Sequence, residues 1–190
     1  MKKKIFTRFA ACAALAFACF TMLSTTAQAQ SPKLTDPEIA SVAVTANQVD
    51  IDNAKLAEKK SKNADVIEFA KLMATDHQSV IDKAVALVTK LGVTPKDNVL
   101  SKKLNADAAK TRKSLSEKKG AAFDKAYIDN EVAYHKAVIG VVENVLITQA
   151  QNAELKDLLV KVMPTFRAHL AHAEMVQSNY GKHGKKMGGM

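Results

Sequence analysis

Beyond residue 19 the chain has no cysteine: Cys12 and Cys19 both lie near the N-terminus. A disulfide framework or a thiolate metal site is therefore excluded for the remainder, which must be stable through its core alone. No stretch shows sustained strand alternation, so a sheet-based fold is not expected. No nucleophile stands beside a base at readable spacing, and no glycine-rich phosphate loop occurs, so nothing favours an enzyme. After the N-terminal segment no apolar run is long enough to span a bilayer.

That segment, MKKKIFTRFAACAALAFACFTMLSTTAQAQ, has the form of an export signal. Lys2, Lys3, Lys4 and Arg8 are its basic part, Phe9 to Leu23 its apolar part, and Ala27-Gln28-Ala29 a small-x-small cleavage site. The expected organisation is a signal peptide over residues 1–29, one domain over 30–181 and a flexible Gly/Lys/Met tail over 182–190. The expected location is the periplasm or cell envelope.

The formal charge of +9 is concentrated rather than general. Four positive charges belong to the signal. Residues 98–120 hold Lys102, Lys103, Lys110, Arg112, Lys113, Lys118 and Lys119 against Asp107 and Glu117, and the tail adds Lys182, Lys185 and Lys186. The rest is slightly acidic. Aromatic residues are scarce in the basic segment, so bases would have no stacking platform, and no nucleic-acid partner is expected. A solvated helix face is the plain reading of this segment. Contact of Lys110, Arg112 and Lys113 with anionic envelope polymers or lipid headgroups is the functional one.

Helical periodicity dominates what remains. Thr35-x-x-Glu38 has the capping-box form and opens a helix to about residue 60, with Pro37 in its first turn. Asn63 caps a second, which stops at Gly92. A short basic helix is expected over about 98–117, a fourth over about 121–149, and a fifth from Asn152 to just before Gly181. Pro164 falls inside the fifth, where it removes a backbone donor and should kink the helix. The links between helices one and two, and between four and five, are only a few residues long. Short links make antiparallel hairpins. Two hairpins joined by a crossover carrying a small helix give an all-α, ferritin-like four-helix bundle.

The apolar stripes at alternating four and three spacing are interrupted by histidine. The second helix reads Val66, Ala70, Met73, His77, Val80, Ala84, Leu87, Leu91; the fourth Ile128, Val132, His135, Ile139, Val142, Leu146; the fifth Leu155, Leu159, Val162, Phe166, His169, Ala173, Val176. The first reads Ile39, Val42, Ala46, Val49, Asn53, Leu56, with Asp50 at its flank. At the helical rise, His135 and His169 lie about 24 and 27 Å from the turn near residue 151, and Asp50 and His77 roughly 18 and 22 Å from the turn near residue 62. One polar residue from each of four helices is thus expected at a common level.

A buried imidazole without partners costs a few kcal/mol, so such a layer needs mutual hydrogen bonds, carboxylates or a metal. Asp50, His77, His135 and His169 are the expected ligands of a metal or small ligand, with Asp76, Glu131 and His172 as supporting neighbours. Histidine with carboxylate suits Zn, Fe, Mn, Cu or Ni. The alternative is a buried polar network that only fixes helix register, in a structural protein of the envelope. His183, Met187 and Met190 in the tail are further donors for copper, but scattered ones. A homo-oligomer is compatible with the pattern.

The pieces LAEKKSKNADVIEFAKLMATDH, FDKAYIDNEVAYH and MPTFRAHLAHAEM resemble the exported bacterial family called domain of unknown function 4142. Phe69-Ala70, Met73, Asp76-His77, Phe123-Asp124, Tyr127, His135, Pro164 and His169-Leu170 carry the resemblance, which extends over residues 36–178. It implies a ferritin-like bundle of the periplasm or envelope and brings no activity. The family usually has acidic residues, often Glu, where this chain has Asp50 and Asp52. Carboxylate-bridged di-iron proteins of ferritin type carry E-x-x-H on two helices. This chain has no E-x-x-H; its nearest forms are Glu131-x-x-x-His135 and His169-x-x-His172, so no such di-iron centre is expected.

Overall fold

A computed structural model describes the backbone of residues 33–187 and the side chains of residues 33–180. The expected signal over residues 1–29, with Cys12 and Cys19, lies outside the described residues, as do the side chains of His183, Met187 and Met190. Among the described residues every regular element is helical, and no helix is long and apolar enough to cross a membrane.

Helix α1 spans Asp36–Lys60, α2 Ala64–Lys90, α3 Val99–Ser116 and α4 Gly120–Val141. A π-turn over Val142–Leu146 and a short α5, Ile147–Gln149, prolong α4; α6 spans Ala153–Met187. The starts follow the capping residues. The carboxylate of Glu38 reaches back to the Thr35 N–H at 2.9 Å, closing the capping box of α1. The Asn63 side chain accepts from the N–H groups of Asp65 and Val66 at the head of α2. Asn152 does the same for Glu154 and Leu155 at the head of α6. Gly92 ends the α2 turn at φ +63°, a left-handed conformation that a side chain would oppose.

Two apolar clusters make up the core. Ile39, Val42, Val80, Val138, Leu159 and Phe166 belong to one. Ala57, Val66, Phe69, Met73, Tyr127 and Ala173 belong to the other. Each draws on α1, α2, α4 and α6, so these four helices surround one core. Chain order through the clusters shows that α2 runs opposite to α1 and α6 opposite to α4. The boundary between the clusters falls at Asp50 on α1, His77 on α2, His135 on α4 and His169 on α6. That boundary is the polar layer.

The crossover is stitched to the start of α1. Ser41 Oγ donates to Asp97 at 3.0 Å, Asn98 Nδ2 to the Glu38 carbonyl at 3.0 Å, and the Lys96 N–H to the Pro37 carbonyl at 2.9 Å. These bonds lay α3 along α1, and this changes the burial of α1. Ser41, Asn47, Ile51 and Ala54 are buried besides Ile39, Val42 and Val49, whereas Ala46 and Leu56 are only half-buried. A helix covered on two sides has no single stripe, so the expected stripe on α1 is only partly right.

Smaller differences have similar causes. Val88 is buried and Leu87 half-buried on α2; Val138 is buried and Ile139 half-buried on α4. A strict seven-residue repeat drifts by about 20° per heptad against a straight helix, so the expected stripes slip toward their ends. Every residue expected in the α6 stripe is buried. The α6 helix passes through Pro164. It also passes Gly181 and continues to Met187, beyond the stop expected there. Glycine within a helix costs only about 1 kcal/mol relative to alanine and does not by itself end one.

Candidate metal centre

His77, His135 and His169 meet across the interior, at the common level their spacing along the helices predicts. Their ring centroids are 5.6 Å apart for His77 and His135, 5.1 Å for His77 and His169, and 5.5 Å for His135 and His169. Asp50 completes the layer from α1, with Oδ2 at 3.2 Å from His77 Nε2 and 3.5 Å from His135 Nε2. All four side chains are at least 97% removed from solvent.

On each ring one nitrogen is already engaged. His77 Nδ1 lies 2.7 Å from Asn47 Oδ1. The other end of that amide, Asn47 Nδ2, donates to the Ala43 carbonyl at 2.8 Å, so the oxygen must face the imidazole and Nδ1 must carry the proton. His135 Nδ1 donates to the Glu131 carbonyl at 3.0 Å. His169 Nε2 donates to Asp76 Oδ2 at 2.9 Å. With these N–H groups directed outward, the lone pairs left are on His77 Nε2, His135 Nε2 and His169 Nδ1. Ligating histidines are usually oriented in this way, by an oxygen acceptor on the second nitrogen.

The three inward nitrogens have no hydrogen-bond partner, nor do Asp50 Oδ1 and Oδ2 or Glu131 Oε2. Acceptors therefore face acceptors. One proton on Asp50 and one on Glu131 can serve only two of them, and each buried polar atom left unpaired costs about 1–3 kcal/mol. A cation removes the conflict among the acceptors it contacts. The ligating atoms of His77, His135 and His169 lie within 4.8 Å of one another, and so do those of Asp50, Glu131 and His135. A tetrahedral ion with 2.0–2.1 Å bonds has donor–donor edges of about 3.3 Å. The two Asp50–histidine separations bracket that edge.

Burial sets the protonation of the layer. It holds the His77 imidazole well below its usual 6.5, with the neighbouring His135 and His169 acting in the same direction. It brings His135 down to about 4. His169 is also lowered by burial, against the opposing pull of Asp76. The three rings are thus neutral near pH 7, the form a metal requires. Burial pushes the Asp50 carboxyl up to about 7. Glu131 is raised further above the carboxylate range, by burial first and then by the Asp50 charge.

Of the three expected supporting neighbours, Asp76 and Glu131 touch the layer and His172 does not. Asp76 holds His169 across the α2–α6 interface and not its chain neighbour His77. Glu131 is fully buried beside Asp50, and it is its backbone carbonyl that orients His135. His172 stands apart from the layer, edge-on to Phe69 with centroids 5.1 Å apart. On the surface, Lys110 lies 3.6 Å from Asp107 and Arg112 3.7 Å from Asp52. Arg112 and Lys113 line an open crevice with Lys55 and Lys59 of α1. Sequence reasoning missed Asn47. Its signal was present: Asn47 precedes Asp50 by one helical turn and so shares its face.

Among solved structures, the chain is similar in fold to "CopM in the Cu(II)-bound form", with a TM-score of 0.58 and 17% identity, over 77% of this chain and 98% of that one. No curated protein matches the sequence. The model of the family described as domain of unknown function, DUF4142, matches residues 21–176, and the chain belongs to that family.

Proposed function

We propose that this protein is an exported, ferritin-like four-helix bundle that binds one transition-metal ion between His77, His135 and His169, with Asp50 as the fourth ligand. The observation that carries this reading is the meeting of three buried imidazoles, two of which bring Nε2 within 3.5 Å of the Asp50 carboxylate, each ring held from behind by an oxygen acceptor. Three neutral imidazoles and one carboxylate, without thiolate, suit Zn, Cu(II), Ni, Fe or Mn in the divalent state. Similarity of fold to a protein described with Cu(II) bound makes copper the first ion to test, with zinc as its comparator. Glu131, close to Asp50, helps to hold the charge of the site.

The test is metal analysis of protein purified without an affinity tag, followed by titration of the metal-free protein with Cu(II) and Zn(II). One equivalent is expected to bind and to raise the melting temperature, and His77→Ala is expected to abolish both effects. A wild-type protein that folds, binds neither ion and melts unchanged would leave the layer as a register device only.

A second reading is favoured by the crevice between α1 and α3. Lys55 and Lys59 there add to Arg112 and Lys113 to make one cationic surface suited to anionic envelope polymers or lipid headgroups. Sedimentation with anionic vesicles at low salt, lost in a variant with Lys55, Lys59, Arg112 and Lys113 all changed to Gln, would support it. Equal sedimentation of both proteins would dismiss it.

A further inference from the structure

Beside the histidine layer the interior is not filled. A cavity of about 240 Å³ lies among α1, α2, α3, α4 and α6 and is almost wholly apolar. Alanines supply much of its wall, among them Ala46 on α1, Ala84 on α2 and Ala108 on α3. Small residues at such positions leave space that the larger side chains around them do not close. Native interiors rarely keep a void of this size, since lining atoms forfeit contacts on one side.

The wall also carries a polar group with no partner. Asn53 lines the cavity, is 1% exposed, and its Oδ1 makes no hydrogen bond. A buried amide oxygen in that condition costs about 1–3 kcal/mol unless something donates to it. Among the other polar groups of the wall, Tyr134 Oη donates to the Ala46 carbonyl at 2.8 Å, Asn47 is held between Ala43 and His77, Asn130 Nδ2 donates to Glu131 at 3.4 Å, and Asp107 pairs with Lys103.

We propose that this cavity is a second binding site, for a small neutral amphiphile whose apolar body fills the alanine-walled space and whose hydroxyl or amide N–H donates to Asn53 Oδ1. Since a 150 Å³ apolar cavity accommodates benzene, this one has room for about ten non-hydrogen atoms. A linear alcohol or primary amide of that size fits; a charged headgroup gains no countercharge, because the one charged group of the lining, Asp107, is already paired with Lys103 and Lys110. The site adjoins the histidine layer: Asn47 and Phe166 belong to its wall, and Phe166 stacks on His77 with centroids 5.4 Å apart. An occupant would stand one side chain from His77.

The test uses the full exported chain with chelator present, so that its outcome is independent of metal binding. The probes are 1-octanol, which carries a donor, and toluene, which does not. Both are expected to raise the melting temperature of the wild-type protein, as any ligand of the folded state does. Filling the cavity with Ala84→Leu or Ala46→Leu should remove both shifts; if one variant does not fold, the other carries the comparison. Asn53→Ala should weaken 1-octanol by about three- to tenfold, the worth of one hydrogen bond, and leave toluene unchanged. No shift in the wild type, or equal shifts in a folded filled variant, would overturn the site. Equal weakening of both probes in Asn53→Ala would overturn the role of the amide.

Discussion

The Nδ1–H of His77 on α2 is held by Asn47 Oδ1 on α1, at 2.7 Å and out of reach of solvent. This contact decides which nitrogen of His77 faces the layer, and it is itself decided by the Ala43 carbonyl that fixes the amide.

Removing it should therefore weaken metal binding without removing a ligand. Asn47→Ala is expected to reduce affinity by roughly 10- to 100-fold, the usual effect of losing the group behind a ligating histidine. Competition with a chromophoric chelator measures it. An unchanged affinity would show that the tautomer of His77 does not matter to binding.

Asp50→Asn should separate stability from binding. The amide matches the carboxyl in size but presents an N–H where an oxygen faces His77 Nε2 at 3.2 Å. Above pH 7, where Asp50 is ionised, a contact between two acceptors becomes a hydrogen bond. The metal-free variant should gain about 1 kcal/mol, or roughly 2–4 °C in melting temperature for a domain of this size, while losing metal affinity. A thermal melt and a metal titration on one preparation give both answers.

The pH dependence of stability has two opposed parts. His77, His135 and His169 have folded pKa values below 6.5. The unfolded chain thus holds more protons in acid, and their contribution is complete above 6.5 and lost as pH falls. Asp50 is raised from 3.8 to about 7. Its contribution is complete below 3.8 and lost as pH rises to 7, and Glu131 acts in the same direction. The metal-free melting temperature should therefore peak at about pH 6 and decline toward alkaline pH, where only the carboxylates still titrate. A bound cation holds Asp50 ionised, so the alkaline decline should shrink and binding below about pH 7 should release a proton. Calorimetry in buffers of different ionisation enthalpy detects that proton. The same alkaline decline with and without metal would count against a cation at Asp50.

Pro164 lies five residues before His169 inside α6 and leaves the Val160 carbonyl without its helical donor. Pro164→Ala should restore that bond and stabilise the chain by about 1–3 kcal/mol, read from denaturant unfolding. A loss of stability instead would mean that the proline sets the path by which α6 delivers His169.

Much of the fold is legible in the residues. Thr35, Asn63 and Asn152 mark helix starts because their side chains satisfy local backbone groups, a matter of a few neighbours in the chain. The histidines at 77, 135 and 169 could be assigned to a common level because each interrupts an apolar stripe at a countable distance from a turn. The burial of α1 could not be read in this way. It depends on α3, and the bonds that hold α3 in place join residues more than fifty positions apart.

The sequence by itself determined where helices begin, which faces of α2, α4 and α6 are apolar and at what height the imidazoles lie, since those follow from local hydrogen bonding and helical period. Only the tertiary structure decided which nitrogen of each ring looks inward, that Asp76 serves His169, and that a void lies against Asn53. Those depend on the rotation of each helix about its axis and on contacts between distant segments, which no local periodicity encodes.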